Sequence, residues 1–326
     1  MTPLVAVAVL VAAFTHAAWN AIAHTIKDQL VAFTLIGGGA AAIGAVIACF
    51  APLPHRAAWR YMIVSALLHI GYQALLMRSF SLGDFGQMYP IARGTAPLVV
   101  TVLAAVFVGE SLDAWQATGV AVASAGLLGV ALWGIRGSGT RGMRGTRGTA
   151  DTTDTTGTTG TAGTAGTAGT AGKTGAAGTA GHGPHWAALL AAVATGLSIA
   201  AYTVVDGLGV RNSGSPIGYI AWLMILEGAL IPAYALHTRR ARLLTQLRPH
   251  AVLGLLGAAL SMLAYGLVLW AQTRAPLAPI AALRESSIIV GAAIGALFFK
   301  ERFGTPRIAA AGLMVVGIGL MLHTAG

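Results

Sequence analysis

Cysteine is almost absent: Cys49 is the single thiol in 326 residues. An internal disulfide is therefore impossible, and with no Cys/His cluster elsewhere neither a redox pair nor a metal site is expected. Charge is scarce as well, at 9% of residues against 56% hydrophobic, with a mean hydropathy of +0.74. A water-soluble globule of that composition would lack the polar surface to cover itself, so the chain reads as an all-α polytopic membrane protein. Acidic residues are the scarcer sign, 10 against 20 Lys and Arg, for a net charge of +10. Most of those cations fall between apolar runs, where lipid headgroups would meet them, and nucleic-acid binding is set aside for that reason.

What is abundant is apolar sequence in lengths of about 20 residues, the number needed to cross about 30 Å of hydrocarbon. Ten such spans are predicted, near 4–24, 30–51, 60–80, 85–108, 115–134, 186–206, 217–237, 250–272, 277–299 and 306–323. Ala21-Ile22-Ala23 resembles a cleavage site, but no basic residue precedes the first span and it has a counterpart in the second half, so it is expected to be retained. Between the halves, residues 136–185 are rich in Thr, Gly and Ala and contain a Thr-Ala-Gly near-repeat. Such a segment has nothing to bury and is read as a disordered tether. The expected domains are thus 1–135, the linker 136–185, and 186–326.

The two halves are copies. The stretch from Met88 to Gly129 recurs up to Leu320, and one constant shift pairs Arg93 with Arg284, Glu110 with Glu301 and Gly126 with Gly317. Five spans per half is an odd number, so the second copy enters the membrane from the opposite side. The prediction is two inverted five-helix repeats, an arrangement that places solute sites near the midplane in secondary transporters. Counting Lys and Arg in the loops favours an external N-terminus.

Ionisable residues inside spans are costly and usually face a cavity or a partner. These are Arg93, Arg284, Glu227 and Glu285, with His16 and His69. Structural cross-linking of helices explains such a network as well as substrate binding does. In the functional reading the arginines attract an anionic or zwitterionic group, and Glu227 or Glu285 pairs with them or carries a proton. Arg93 is expected to be the freer cation and Arg284 the paired one, since Glu285 stands beside Arg284 where the first copy has Gly94. His16, Trp19 and Asn20 share a helix face, and Tyr202 stands at the repeat position of Trp19. His69, Tyr72 and Gln73 repeat the pattern in the third span, Tyr265 answers Tyr72 in the eighth, and Tyr89 precedes Arg93 in the fourth. Such a lining suits a small organic solute, with aromatic faces for its apolar part. Pro90 and Pro97 in the fourth span are candidate hinges, and the glycines of spans five and ten read as packing faces, with a homodimer interface as a second use.

The doubled five-span unit, His16-Ala17-Ala18-Trp19-Asn20, the fourth-span run ending Val108-Gly109-Glu110 and its echo Phe299-Lys300-Glu301 resemble the EamA family of the drug/metabolite transporter superfamily. The resemblance covers nearly all the chain except the linker. It implies a ten-helix carrier of the inner membrane with cytoplasmic termini, moving a metabolite, often outward, with no cofactor and no enzymatic activity. The small multidrug members of that superfamily use a glutamate in the first helix, where this chain has His16, so a cationic-drug antiporter is disfavoured. The competing class is a membrane-embedded enzyme acting on a lipid-linked substrate with His16 or His69 as base, although none of the usual hydrolase motifs is present.

Overall fold

The computed structural model describes residues 1–82, 85–141, 186–240, 242–290 and 305–323, and every regular element among them is helical. In chain order they are α1 (Pro3–Thr25), α2 (Gln29–Ala48), α3 (Arg56–Leu82), α4 (Phe85–Phe107), α5 (Ala114–Arg141), α6 (Trp186–Arg211), α7 (Pro216–Gly228), α8 (Leu230–Arg239), α9 (Arg242–Leu247), α10 (Ala251–Gln272), α11 (Leu277–Arg284) and α12 (Thr305–Leu322). Among the described residues five stretches are long and apolar enough to cross a membrane: Pro3–Ala23, Leu30–Ala48, Trp186–Arg211, Pro216–Arg239 and Arg242–Gln272. Ile91–Phe107 and Ile308–Leu322 are shorter apolar helices.

The distribution of side chains is that of a protein dissolved in lipid. Leu4, Phe14 and Val252 are 66%, 57% and 83% exposed, whereas Arg93 is 5% and Glu285 1% exposed. In water the same arrangement would leave a large apolar surface uncovered. In hydrocarbon it costs nothing, and the charges are the groups that must be hidden.

Helix starts follow local chemistry. Pro3 and Pro216 occupy first-turn positions, where proline's missing N–H is no loss. Asp28 caps α2 by accepting from the N–H groups of Leu30 and Val31, and Ser215 caps α7 by accepting from Gly218 at 3.1 Å. α11 has no such side chain of its own. Its first N–H, that of Leu277, donates to Glu110 Oε2 at 2.7 Å, and Arg211 binds the other oxygen of Glu110, also at 2.7 Å. Arg211 further donates to the carbonyls of Gln272 and Ala275. Glu110, the helix-end glutamate of the first copy, thus caps the start of α11 in the second.

α1 packs on α10, α3 on α6, α2 on α7, α5 on α12, and α4 on α5, α6 and α11. Exchanging the first five spans for the last five turns the α1–α10 contact into α6–α3 and leaves α2–α7 and α5–α12 as they are, the pattern expected of a doubled unit. Small residues set these contacts. A Cβ on Gly317 would lie 2.7 Å from Gly119 O, and one on Gly119 would lie 2.6 Å from Gly317 O, so α5 and α12 meet backbone to backbone. Gly119, Gly126 and Gly317 are therefore used within one chain, and no second copy is needed to explain them.

α5 extends to Arg141; residues 142–185, most of the segment expected to be a linker, lie outside the described residues. α4 runs unbroken through Pro90 and Pro97, and the interruption falls in the second copy instead, at Glu285 and Ser286. There the N–H groups of Glu285, Ser286, Ile288 and Ile289 bond three residues back, a local tightening to 3₁₀ geometry that ends α11. The seventh span is likewise two helices, α7 and α8, separated at Ala229. The second half of the ninth span, with Glu301, lies outside the described residues.

Candidate functional site

The break at Glu285 delivers the last residue of α11, Arg284, and the residues after it to the α4 side of the bundle. Arg93 Nε of α4 lies 2.9 Å from Glu285 Oε2, with its N–H not aimed at that oxygen, and its Nη2 donates to Ser287 Oγ at 3.4 Å. Arg284 Nη2 donates to the Tyr202 hydroxyl of α6 at 3.4 Å, and among the described residues its Nε has no hydrogen-bond partner. The two cations thus have the reverse of their expected roles. Glu285 follows Arg284 in sequence but is turned about 100° round the helix, which carries its carboxylate to α4. Among the described residues no carboxylate oxygen lies within ion-pair distance of Arg284.

Tyr202 joins this pair to an aromatic group. Its ring stacks on His69 of α3 at 3.9 Å between centroids, and Tyr72 meets it edge-on at 5.8 Å. Tyr265 of α10 meets the His69 ring at 6.0 Å. His69 Nδ1 lies 3.0 Å from Glu227 Oε1, yet its hydrogen bond runs to the Ser65 carbonyl at 3.0 Å, and that glutamate oxygen is left without a hydrogen-bond partner. Glu227 reaches the cluster because it sits at the end of α7, next to Gly228, whose missing side chain lets α7 approach Gly37 of α2. On α1, His16 lies close enough to feel both guanidinium groups, Trp19 meets its ring edge-on at 5.3 Å, and the Asn20 amide donates back to the His16 carbonyl at 2.8 Å.

The structure therefore gathers Arg93, Arg284, Glu285, Tyr202, His69, Tyr72, Tyr265 and Glu227 into one connected set, with His16 and Trp19 beside it. The side chains of Gln73 and Tyr89 lie outside the described residues. Sequence reasoning passed over four participants. Ser65 and Ser287 carry no distinguishing signal in an apolar run. Asp206 and Tyr219 do. Asp206 is fully buried on α6, one turn after Tyr202, and accepts hydrogen bonds from the Tyr219 hydroxyl, at 3.1 Å, and the Tyr265 hydroxyl. Its four-residue spacing from Tyr202 puts both on one helix face, the clue that was available.

A lining of aromatic rings, one neutralised arginine and one arginine held by a phenol can hold a small solute with a negative group. Residues 186–323 match the model of the EamA-like transporter family. The matched region contains Tyr202, Glu227, Tyr265 and Arg284, and together with the apolar helices the match points to a multi-pass membrane protein. One crystal structure of a protein is similar over 98% of this chain and 95% of its own, at 16% identity and a TM-score of 0.59. That likeness shows that the fold extends over both halves. No curated protein matches the chain.

Proposed function

We propose that this EamA-like protein is a secondary transporter of the inner (cytoplasmic) membrane, built as ten spans in two inverted repeats. It exports a small amphipathic metabolite, amino-acid-like or another organic anion or zwitterion, by alternating access. The observation that carries this reading is Arg284, buried to 7% exposure, bonded among the described residues to a phenol, and set at the end of α11. A buried guanidinium with no carboxylate at ion-pair distance among the described residues is expensive to keep, and a substrate anion would complete it. Broken helices near the midplane are where transporters bind solutes, because their freed backbone groups face a cavity. Arg93 is already neutralised by Glu285 and holds the helices together. The aromatic rings of Trp19, Tyr72, Tyr202 and Tyr265 supply apolar faces for the rest of the solute.

The test is exchange of radiolabelled amino acids and organic acids across proteoliposomes containing the full chain. For whichever solute exchanges, Arg284→Gln should raise KM about 10- to 100-fold, the worth of a charge-assisted hydrogen bond of about 1.5–3 kcal/mol. Unchanged exchange in that variant removes Arg284 from the site.

A further inference from the structure

Among the described residues, the carboxylates Glu110, Glu227, Glu285 and Asp206 of the bundle are held by chemically different partners. Glu110 is held by Arg211 and by the Leu277 N–H, and Glu285 by Arg93. Glu110 accepts from groups that can only donate, and Glu285 lies in an ion pair with a guanidinium, so both have partners that favour the anion. Glu227 faces His69. Asp206 is different, because its hydrogen-bond partners among the described residues are the hydroxyls of Tyr219 and Tyr265, with the Ser65 hydroxyl close enough to interact. A phenol can donate to a carboxylate and, after rotation of its O–H, accept from a carboxylic acid. Asp206 can therefore gain or lose a proton with no hydrogen bond forfeited, although it is 0% exposed.

The charge balance of the cluster asks for such a proton. The cluster holds two arginines, Arg93 and Arg284, and three carboxyls, Glu285, Glu227 and Asp206, so with neutral His16 and His69 it is balanced when one carboxyl is protonated. Isolated net charge in hydrocarbon is disfavoured, and two neighbouring carboxyls resist double ionisation. Glu285 has an arginine at ion-pair distance, whereas among the described residues Asp206 and Glu227 have none, and these two carboxyls are close enough to interact with each other.

We infer that Asp206, cradled by Tyr219 and Tyr265, is a proton-binding site of this protein and the coupling site of the transport cycle. The groups that face its charge come from four neighbouring helices: Ser65 from α3, Tyr219 and Glu227 from α7, Tyr265 from α10 and Arg284 from α11, while α4 packs on α6 as well and brings Arg93 to the cluster. The chain Arg284–Tyr202–His69–Tyr265–Asp206 joins the proposed anion site to the proton by contacts already given. A substrate anion on Arg284 would cancel the positive charge that favours ionised Asp206, so anion and proton would favour each other's binding. Access is short, since Asp206 lies five residues, or about 7.5 Å of helix, from Arg211 at the end of α6.

Its use in coupling rests on the transporter reading, but its existence does not, so the test reads proton occupancy without any substrate. The full chain in liposomes is followed by infrared difference spectroscopy while buffer pH is stepped. Wild type should show the carbonyl-stretch band of a protonated carboxylic acid that vanishes in one titration. Asp206→Asn should lose that band, Glu285→Gln should keep it, and Tyr265→Phe, which keeps the acid but removes one partner, should shift it to higher frequency. A band that survives Asp206→Asn, or is lost instead in Glu227→Gln, overturns the assignment, as does its absence from wild type. An Asp206→Asn variant that fails to fold leaves the Tyr265→Phe shift to decide. An intact band in a protein that exchanges no solute would sink the transporter reading alone.

Discussion

Arg93 and Glu285 are 6% and 2% exposed at their side chains, and each is costly without the other. Removing one partner of a buried pair strands the other, at about 3–5 kcal/mol, whereas neutralising both is nearly free. Glu285→Gln should therefore lower the melting midpoint of the detergent-purified protein markedly, and Arg93→Gln with Glu285→Gln should recover most of the loss. The midpoint is read by size-exclusion chromatography after heating. Equal losses in single and double variants would mean that the pair is not a unit. Both arginines were legible in the sequence because a guanidinium in an apolar run is conspicuous. Their partners were not, since adjacency suggested Glu285 for Arg284 while the helix turn sends it to Arg93. Asp206 was passed over because it stands near the end of its span, where an acid is usually solvated; only the phenols of Tyr219 and Tyr265, distant in sequence, show it to be buried.

Apolar run length revealed the spans because hydrocarbon thickness fixes it. It could not reveal the breaks at Ala229 and Glu285, which depend on what the neighbouring helices supply. Close packing at this scale is testable on glycines. A side chain on Gly119 or Gly317 would meet backbone at 2.6 Å and 2.7 Å, and backbone cannot step aside. Gly119→Leu and Gly317→Leu should each destabilise by about 1–3 kcal/mol or more. Gly312→Leu, with nothing within 4 Å, should leave the same melting midpoint unmoved. The capped start of α2 gives a pH-dependent counterpart outside the span. Hydrogen bonding from Arg239, aided by the Val31 and Leu30 N–H groups and opposed by partial burial, lowers the Asp28 carboxyl below its ordinary value. A lowered folded value means that the stabilisation is complete above the unfolded value of about 3.9 and is lost as pH falls through the folded one. The pair is partly exposed, so its share is under about 1 kcal/mol, beside about 1 kcal/mol for the cap. Asp28→Ala should therefore cost about 1–2 kcal/mol at neutral pH, and its difference from wild type should narrow below pH of about 4.

At the scale of the molecule, the loop contacts sort the connections into two faces. The His55 N–H donates to the Ser213 carbonyl at 2.9 Å, and Arg211 ties Glu110 to the turn before α11, so the loops following α2, α4, α6 and α10 share one face. Asp28 and Arg239 join the loops following α1 and α8, and Gln246 accepts from the same arginine. An inverted pair of five-span repeats requires these two sets to lie on opposite sides of the bilayer. In a Cys49→Ala background, Leu53→Cys and Asn212→Cys should react with a membrane-impermeant maleimide from one side, and Lys27→Cys and Thr245→Cys from the other. Reaction of Leu53→Cys and Thr245→Cys from the same side would dismantle the two-repeat topology. The second face carries Lys27, Arg239, Arg240, Arg242 and Arg248, while the first has Arg56, Arg60, Arg274 and an Arg211 neutralised by Glu110. The positive-inside rule therefore makes the Lys27 face cytoplasmic. Labelling of Lys27→Cys only in inside-out vesicles is the expected result. Labelling in intact cells would instead put both termini in the cytoplasm, as the EamA resemblance implies, and the basic loops outside.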